Sequence, residues 1–280
     1  MPELPEVETV RRTIQRALGG QKIVDAEVAP DSIVLQKADH LSLQKWLLGK
    51  EVLGVGRKGK TFWLEFGGEG FLYGHLGMAG WVREIGKESI RLREHGNAPW
   101  EDENGRARFL KLRIRGESGG EIVFTDGRRL ARIWRGESPD IEPKTCALGP
   151  DCWNDAADAA EIIRRLSNRT APMKAALLDQ TLFAGVGNWI ADEVLFHAKI
   201  SPHRPAKSLT LREAGELAKA LHQILESAIE VGANSEKYPE SWLFHVRWGG
   251  KRGKDEILGL PLVRETVGGR TTAWVPGIQK

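Results

Sequence analysis

The first residues of the chain, Met1-Pro2-Glu3, are of types that could do covalent chemistry. Pro2 is small enough for the initiator methionine to be removed, so we expect a mature chain that begins with a secondary amine. An α-amino group has a pKa of about 8, so a usable fraction is neutral at neutral pH and can form a Schiff base with a carbonyl-type carbon. Glu3 could move protons beside it. An ordinary helix start has the same residues, so these residues alone leave both interpretations open.

Two glycine turns could present groups to a phosphate. Gly185-Val186-Gly187 precedes a predicted helix, and such a turn directs backbone N–H groups and a helix N-terminus forward. Gly268-Gly269 is a two-residue hairpin turn that places Arg270 at its tip, where a guanidinium can bind phosphate with two hydrogen bonds. A tight connection between helices and an exposed tip arginine are the plainer alternatives.

Composition bounds the class of protein. The 280 residues suffice for two domains, and 41% hydrophobic with 28% charged residues is typical of a globular chain with a core. No apolar run approaches the roughly 20 residues of a membrane helix, and the N-terminus has no secretory pattern. Two cysteines, Cys146 and Cys152, make no disulfide framework, so we expect a cytoplasmic protein.

Positive charge is concentrated at the C-terminal end. Residues 245–280 contain seven Lys/Arg and three acids, a net charge of +4, whereas the whole chain carries +3. This distribution indicates a polyanion as partner, although solubility alone would also account for it.

Periodicity predicts an α+β chain of several domains. Val7, Val10, Ile14 and Leu18 follow helical spacing. A strand-rich region then predicts a β-sandwich closed by that helix, with strands at 22–29, 51–56, 61–66, 70–75, 79–84, 109–115 and 121–125. In the strand 109–115 the cations alternate with apolar residues, which gives either a basic face or an ordinary solvated one. The polar stretch 84–105 predicts a loop.

The second half reads as helices followed by a hairpin. Residues 138–155 contain three prolines and predict a linker. Apolar stripes predict helices at 156–166, 172–182, 188–198 and 210–231, and residues 262–275 predict a β-hairpin around the Gly-Gly turn.

The order of these features resembles the formamidopyrimidine-DNA glycosylase / endonuclease VIII family, over nearly the whole chain. The resemblance is carried by MPELPEVETVRR (1–12), RKGKTFWLEF (57–66), HLGMAG (75–80), TDGRRL (125–130), APMKAALLDQ (171–180) and GVGNWIADE (185–193). Leu4 favours the formamidopyrimidine-DNA glycosylase branch. The resemblance implies a catalytic β-sandwich domain at 1–137, a linker at 138–155, a helix-two-turn-helix domain at 156–244 and a β-hairpin finger at 245–280.

The resemblance also implies roles for eleven residues. The catalytic group would comprise Pro2 as nucleophile, Glu3 as proton-transfer group, Lys60 on a hairpin turn as phosphate ligand and elimination aid, and Arg270 as phosphate clamp. The DNA-binding group would comprise Glu6, Met78, Arg128, Leu130, Arg169, Lys174 and Asn188, and within it Glu6 would face the site as a structural or proton-shuttling acid. In this group Met78, Arg128 and Leu130 would fill the gap left by a flipped base, with Leu130 where this branch usually has Phe.

The implied activity is that of a bifunctional DNA glycosylase and abasic-site lyase. A Schiff base on the N-terminal proline would be followed by β- and δ-elimination, on double-stranded DNA that contains 8-oxoguanine, a formamidopyrimidine or an abasic site. No cofactor and no membrane are implied, and we expect a monomer.

Two departures from the family pattern stand out. The family's usual finger binds zinc through four cysteines, but residues 245–280 contain none. We therefore expect a finger without zinc, held by an apolar cluster of Ile257, Leu262, Trp274 and Val275. The stretch 232–242 is short where the branch usually has a long loop over the oxidised purine, so a preference for oxidised pyrimidines such as 5-hydroxyuracil is the alternative.

Two rival functions make different demands on the sequence. A damaged-DNA-binding protein without catalysis would keep the fold, but the intact Pro2, Glu3 and Lys60 argue against it. A hydrolase unrelated to DNA would need a triad or metal spacing, and His75, His95 and the scattered acids form neither.

Overall fold

The N-terminal helix α1 (Leu4–Leu18) forms where the apolar spacing predicts it. Val7, Val10, Ile14 and Leu18 are all fully buried. Glu3 is the N-cap, and the helix ends at Gly19. The predicted amphipathic helix is therefore confirmed, and its first turn carries the candidate catalytic residues.

The computed structural model describes residues 2–97, 99–249 and 255–280, and it divides into two units, residues 1–146 and 147–280. The division falls within the stretch predicted as a linker. Unit 1 contains α1, β1 (Ile23–Val28), α2 (His40–Leu47), β2 (Gly54–Lys58), β3 (Thr61–Glu65), β4 (Phe71–His75), β5 (Trp81–Glu84), β6 (Leu110–Gly116), β7 (Glu121–Thr125), β8 (Arg132–Gly136) and α3 (Pro143–Cys146), with 3₁₀ turns at Gly67–Glu69 and Arg93–His95.

Unit 1 is a sandwich of two antiparallel four-stranded sheets. Their strand orders are β1-β6-β7-β5 and β2-β3-β4-β8. Alternate residues of both sheets, such as Phe62 and Leu72 on one and Ile114 and Phe124 on the other, form a single core into which α1 packs. The predicted sandwich is confirmed. Strand β8 and helix α2 were not predicted.

The cations of β6 do not form a free basic face. The Lys111 ammonium lies 2.8 Å from Asp31, and the Arg113 guanidinium lies 2.9 Å from Asp25 and 3.3 Å from Glu27. The register places Glu27 directly opposite Arg113 on β1. The plainer alternative, a solvated face with cross-strand ion pairs, is the correct one.

Unit 2 begins with helices and ends with short strands. It contains α4 (Ala159–Leu166), α5 (Met173–Leu178), α6 (Asn188–His197), α7 (Leu211–Glu230), β9 (Glu256–Ile257), β10 (Leu260–Pro261), β11 (Val263–Val267) and β12 (Arg270–Trp274), with 3₁₀ turns at Ala206–Ser208, Ser235–Lys237 and Leu243–His245. The four predicted helices are present, and β11 pairs with β12 as the predicted terminal hairpin. The N-terminal β domain and C-terminal helical domain together confirm the predicted α+β class.

An apolar cluster holds the hairpin to α6. Ile257, Leu262 and Val275 are buried against Phe196 of α6, as predicted for three of the four residues named from the sequence. Trp274 is the exception, because its side chain lies outside this cluster and its indole N–H donates to Glu265 (2.7 Å). Consecutive residues of a strand point to opposite faces, so Trp274 and Val275 could not both enter one core.

The segment after α7 packs on aromatic side chains. Tyr238 and Trp242 are 4 and 5% exposed, with ring centroids 4.9 Å apart. Tyr238 also contacts Trp189 of α6, at 5.7 Å, and Phe244, at 5.1 Å. The short stretch 232–242 is thus part of the core of unit 2. Within the part of the chain that is described, no helix has the length and apolar character needed to cross a membrane.

Candidate active site

The first turn of α1 holds two carboxylates next to Pro2. Pro2 is buried, Glu3 is 1% exposed and Glu6 is 5% exposed. The two acids form a capping box, in which the Glu3 side chain accepts from the Glu6 N–H and the Glu6 side chain accepts from the Glu3 N–H at 2.9 Å. The capping box that starts helix α1 is therefore made by the same residues that are candidates for the chemistry.

The environment of Glu6 gives it an unusual acidity. Burial first, and then repulsion by the Glu3 carboxylate, raise the pKa of Glu6 from 4.5 to about 7. A carboxyl with this pKa is present in both protonation states near neutral pH. The Glu6 carboxyl can therefore give or accept a proton at little cost. It lies one helical turn from Glu3.

Lys60 stands on the turn between β2 and β3 and is held from below by a buried ion pair. Lys58 pairs with Thr61, so Gly59 and Lys60 form a two-residue turn, with Gly59 at φ +57°. Arg57 donates to the Gly59 carbonyl (3.1 Å) and to Glu8 of α1 (3.2 Å). Because Glu8 lies on the same helix as Glu3, this contact fixes the lysine-bearing turn to the acid-bearing helix.

His75, which is part of no recognisable triad or metal spacing in the sequence, lies near Lys60. It ends β4, where the register places it opposite Thr61, the residue after Lys60. Its Nδ1 accepts from the Gly77 N–H (3.0 Å). Burial and then the Lys60 charge lower the pKa of His75 to about 4, so its ring is neutral at pH 7. The signal that could have identified it is its position at a strand end, directly before the loop that carries Met78.

Two loops of unit 1 present apolar side chains to solvent. Met78 is 39% exposed and Leu130 is 38% exposed. The loops are in contact, because a Cβ added at Gly77, with φ +62°, would stand 2.4 Å from the Leu130 carbonyl oxygen. Gly77 is therefore required both by its backbone conformation and by this close approach.

Asp126 shapes the loop of Arg128 and Leu130. It is 1% exposed, and its carboxylate accepts from the backbone N–H of Arg128 (2.9 Å), Leu130 (2.7 Å) and Ala131 (2.7 Å). The Arg128 and Leu130 side chains consequently point outward from a rigid turn. The structure thus brings Met78, Arg128 and Leu130 onto two joined loops.

In unit 2, Asn188 begins α6 directly after the glycine turn. Gln180 holds that turn, since it accepts from the Gly185 N–H (3.1 Å) and donates to the Val186 carbonyl (2.8 Å). The Asn188 amide donates to the carbonyl of Thr271, the residue after Arg270, at 2.9 Å. Asn188 and the arginine-bearing hairpin, distant in sequence, are therefore joined by a hydrogen bond.

Arg270 is exposed at the hairpin tip, as the sequence predicts. Gly268 and Gly269 have φ of +59° and +75°, the conformation of a primed two-residue turn. A Cβ at Gly268 would stand 2.7 Å from the Ala175 side chain of α5. The tip is thus packed on α5, which keeps the Arg270 backbone in a defined place.

The structure corrects the prediction for Lys174. This residue was expected to contact DNA, but it lies within α5 and is fully buried. Its ammonium donates to Asp192 (2.5 Å) and to the Asn188 carbonyl (2.7 Å). A buried ammonium with these partners does not reach a phosphate, so its role is to support Asn188 from beneath.

Arg247 completes this buried cluster. Its guanidinium also donates to Asp192 (2.5 Å) and to the Asn188 carbonyl (3.3 Å). The second oxygen of Asp192 accepts in addition from the Ala273 N–H of β12 (3.2 Å). Sequence reasoning missed Asp192 and Arg247. We call Lys174, Asp192 and Arg247 the cation cluster, because it holds two positive charges and one negative charge.

The other cations that were predicted to bind DNA differ in their exposure and in their partners. Arg169 is exposed in the turn after α4, where its backbone pairs with Leu166 and Lys207. In the basic C-terminal stretch, Arg247 is buried and Arg264 pairs with Asp255 (2.6 Å). Lys251, Arg252 and Lys254, which also contributed to that prediction, lie outside the described residues.

No ligand set for a metal ion is assembled by residues 2–97, 99–249 and 255–280, where no three His, Cys, Asp or Glu side chains are suitably grouped. The two cysteines, Cys146 and Cys152, precede the helices of unit 2, and neither forms a disulfide.

Comparisons with known proteins agree with this arrangement. The formamidopyrimidine-DNA glycosylase N-terminal domain matches residues 1–133, and the formamidopyrimidine-DNA glycosylase H2TH domain matches residues 148–239. A formamidopyrimidine-DNA glycosylase of Arabidopsis thaliana is 36% identical over 280 residues, which cover 100% of this chain and 71% of that protein. One of Bradyrhizobium sp. (strain ORS 278) is 35% identical over 303 residues and all of both chains.

Solved structures are similar as well. The Lactococcus lactis formamidopyrimidine-DNA glycosylase bound to DNA with an abasic site superposes with a TM-score of 0.79, at 28% identity and 99% coverage of both chains. The same enzyme with DNA containing an oxidised pyrimidine gives a TM-score of 0.80 at 28% identity and full coverage. This chain therefore belongs to the formamidopyrimidine-DNA glycosylase family, whose members are base-excision-repair enzymes that act as DNA glycosylases and as lyases at abasic sites.

Proposed function

We propose that this protein excises oxidised bases from double-stranded DNA through a Schiff base on Pro2, and then cleaves the strand by β- and δ-elimination. The observation that carries the proposal is the first turn of α1. There Glu3 and Glu6 are buried side by side, next to Pro2, and the pKa of Glu6 is raised to about 7. A buried carboxyl that is present in both protonation states near pH 7, next to a second buried acid, is suited to a sequence of proton transfers.

The chemistry divides into an attack and an elimination. The neutral Pro2 amine forms a bond to the anomeric carbon of the sugar as the bond to the damaged base breaks. Glu3 assists sugar-ring opening, and the resulting iminium makes the C2′ hydrogens acidic. Loss of a C2′ proton expels the 3′ phosphate, and a second elimination expels the 5′ phosphate. Glu6, which is held in this turn by its hydrogen bond from the Glu3 N–H, serves as a proton reservoir through its own carboxyl group.

Each unit offers groups that are suited to bind phosphate. Lys60, on its braced turn, is suited to bind a phosphate and assist elimination, with neutral His75 close by. Asn188 and Arg270, joined through the Asn188–Thr271 hydrogen bond, form a second grip, to which Arg169 would add. Contacts of this kind fix a kinked backbone without selecting sequence.

The joined loops would open the duplex. A base inside a stack is inaccessible to Pro2, so the nucleotide must be flipped out, which costs a few kcal/mol. Met78 and Leu130 are apolar and exposed on a rigid support, as an unstacking wedge requires, and Arg128 lies on the same loop as Leu130.

The structure says less about which damaged base is excised than about the chemistry. The family name favours formamidopyrimidines and, with them, 8-oxoguanine. Oxidised pyrimidines such as 5-hydroxyuracil are a second candidate. The observation that favours them is the segment 232–242, whose Tyr238 and Trp242 are buried in the core of unit 2 and are therefore not available to fold over a purine.

Borohydride trapping tests the proposal. Duplexes with 8-oxoguanine, a formamidopyrimidine, 5-hydroxyuracil or an abasic site are incubated with protein whose N-terminal residue has been verified by mass spectrometry as Pro2. A covalent adduct is expected, and the lesion with the strongest band identifies the preferred base.

Pro2→Gly is the matched variant. It should abolish excision and leave DNA affinity largely intact, because the contacts to phosphate are elsewhere. Excision retained by this variant would contradict the proline Schiff base. No adduct from the unsubstituted protein, even with abasic DNA, would instead support a damaged-DNA-binding protein without catalysis.

A further inference from the structure

Arg132 is the first residue of β8 and lies in one row of the sheet with the turn that carries Lys60. The register places Arg132 directly opposite His75 on β4. On its other side, His75 is directly opposite Thr61, the residue that follows Lys60. Directly opposite residues of an antiparallel sheet point to the same face, with Cβ atoms about 5 Å apart. The side chains of Arg132 and His75 are therefore neighbours at the end of this sheet.

The next row on the same face holds β4 and β8 together. Two residues along each strand, Tyr73 lies opposite Trp134, and their rings stack with centroids 5.3 Å apart and planes 11° apart. The Lys144 ammonium lies 3.9 Å from the centroid of the Trp134 ring. Because these rings pack the two strands against each other, the positions of His75 and Arg132 are fixed by rigid elements.

The guanidinium of Arg132 is only partly engaged by the protein. One terminal nitrogen, Nη1, donates to the carbonyls of Arg129 (3.2 Å) and Ala131 (2.6 Å), which flank Leu130. Within residues 2–97, 99–249 and 255–280, no carboxylate lies within ion-pair distance of Arg132, and its Nε and Nη2 donate no hydrogen bond. The half-buried side chain therefore keeps its full charge and several donors for an anion.

His75 adds a neutral donor to this positively charged row. Burial, and then the charges of Lys60, Arg132 and Lys144, lower the pKa of His75 to about 4, so the ring is neutral at pH 7. Since its Nδ1 accepts from the Gly77 N–H (3.0 Å), the neutral ring carries its proton on Nε2. Lys60, His75 and Arg132 thus combine positive charge with hydrogen-bond donors, which suits phosphate groups.

We propose that Arg132 binds a phosphate of the lesion-bearing strand, next to the phosphate held by Lys60, and connects it to the loop of Leu130. The inference rests on the proposed function, which supplies the DNA strand, and it adds a contact to that site. A guanidinium binds phosphate through two parallel hydrogen bonds, and the nitrogens that Arg132 does not use on carbonyls can supply them. The same side chain holds the backbone on both sides of Leu130, so phosphate binding and wedge insertion share one residue.

The test measures affinity for a duplex with a non-cleavable abasic analogue over a range of salt concentrations. Arg132→Gln keeps an amide that can donate to the two carbonyls but removes the charge. It should lower the slope of log affinity against log salt by about 1, the effect of one phosphate contact, and weaken binding about 10-fold. Arg132→Lys keeps the charge and should keep the slope. Arg135→Ala is the matched control, because this exposed arginine of the same strand lies over the Trp46 ring, at 4.2 Å.

A second arm replaces the phosphates of the lesion-bearing strand, one at a time, by an uncharged methylphosphonate. At the phosphate that Arg132 contacts, the replacement should weaken binding of the parent about 10-fold and have no further effect on Arg132→Gln. Lys60→Gln should show the same non-additive behaviour at a neighbouring phosphate. The scan thereby identifies the phosphate that each cation binds.

The outcomes separate this inference from the proposed function. A parental slope for Arg132→Gln would mean that the side chain only braces the loop of Leu130, and would overturn the inference. A scan in which every replacement weakens Arg132→Gln as much as the parent would overturn it too. If either result is found while borohydride trapping on an abasic duplex succeeds, the phosphate assignment fails and the chemistry stands. If trapping fails but the non-additivity is found, Arg132 binds phosphate in a protein without the proposed chemistry.

Discussion

The acid pair of α1 and the cation cluster of unit 2 are both buried and carry opposite charge imbalances. In the first, the Glu3 and Glu6 side chains each accept from the other residue's backbone N–H, and the pKa of Glu6 rises to about 7. In the second, Lys174 and Arg247 share the single carboxylate of Asp192. The acid pair can lower its charge by keeping a proton at neutral pH. The cation cluster contains an arginine, which does not deprotonate, so its charge is fixed.

This difference between a titratable and a fixed charge matches the function proposed for the acid pair and for the cation cluster. Proton transfer needs a group that changes charge near pH 7, and the acid pair supplies one. A phosphate grip needs a constant positive potential, and the cation cluster lies directly beneath Asn188, to whose carbonyl both of its cations donate. Four variants test the comparison, from the largest expected effect to the smallest.

Glu3→Gln removes the acid next to the nucleophile and keeps its size. We expect the single-turnover rate of base excision to fall by about 10²- to 10⁴-fold, the usual contribution of a general acid or base. Binding to abasic DNA should be retained. Glu27→Gln, at an exposed ion pair on β1, serves as control. A rate equal to that of the parent would remove Glu3 from the mechanism.

Asp192→Ala breaks the cation cluster and leaves two buried cations without their acid. The free energy of unfolding should decrease by about 3–5 kcal/mol, measured by urea denaturation. The triple variant Lys174→Met, Asp192→Leu, Arg247→Met should recover stability, because apolar residues can replace a buried ionic group. The same triple variant should still bind abasic DNA less tightly than the parent. Parental affinity would mean that the fixed charge does not serve the grip.

Glu6→Gln tests the acid pair through pH. In the folded chain the pKa of Glu6 is about 7, above its ordinary 4.5, so unfolding releases a proton between these values and stability falls as pH rises through that window. The glutamine variant has no carboxyl at this position, so its stability does not fall through this group as pH rises. Relative to the parent it should gain up to about 3 kcal/mol in unfolding free energy between about pH 5 and about pH 8. A constant difference across that range would contradict the raised pKa.

Arg270→Ala removes one exposed cation from the hairpin tip. Affinity for abasic DNA should weaken, and the slope of log affinity against log salt should fall by about 1. Elimination should also slow. Arg212→Ala on α7 removes an exposed arginine from the same unit and should leave the slope unchanged. An unchanged slope for Arg270→Ala would take this residue out of the phosphate contacts.

Periodicity and glycine chemistry predicted most of the framework. The stripe of Val7, Val10 and Ile14 identified α1, and the Gly268-Gly269 pair identified the hairpin turn, because both signals are local in sequence. Strand β8 was missed because two of its five residues, RIWRG, are arginines, and because it follows a charged turn. Helix α2 was missed because only two of its eight residues, Leu43 and Leu47, are buried, which is too few to give a clear apolar stripe.

The positions of candidate site residues could be predicted from sequence where the proposed role needs only an exposed side chain. Met78, Arg128, Leu130 and Arg270 are exposed, as their predicted roles need. Lys174 was misjudged because its partner, Asp192, is 18 residues away, and sequence does not show which cation a buried acid will take. The placement of Lys174 among buried neighbours in α5 was the available signal. The pKa of Glu6 follows from burial next to Glu3, which only the fold reveals.

The close approach of Gly77 to the Leu130 backbone has an evolutionary consequence. Because a side chain at Gly77 would collide with that backbone, neither loop can change its course alone. Substitutions in residues 76–80 and 126–131 should therefore be epistatic, with combined effects that differ from the sum of the single effects. Whether a phenylalanine is tolerated in place of Leu130 would then be decided by the loop of Met78, and relatives should exchange the two loops as a set.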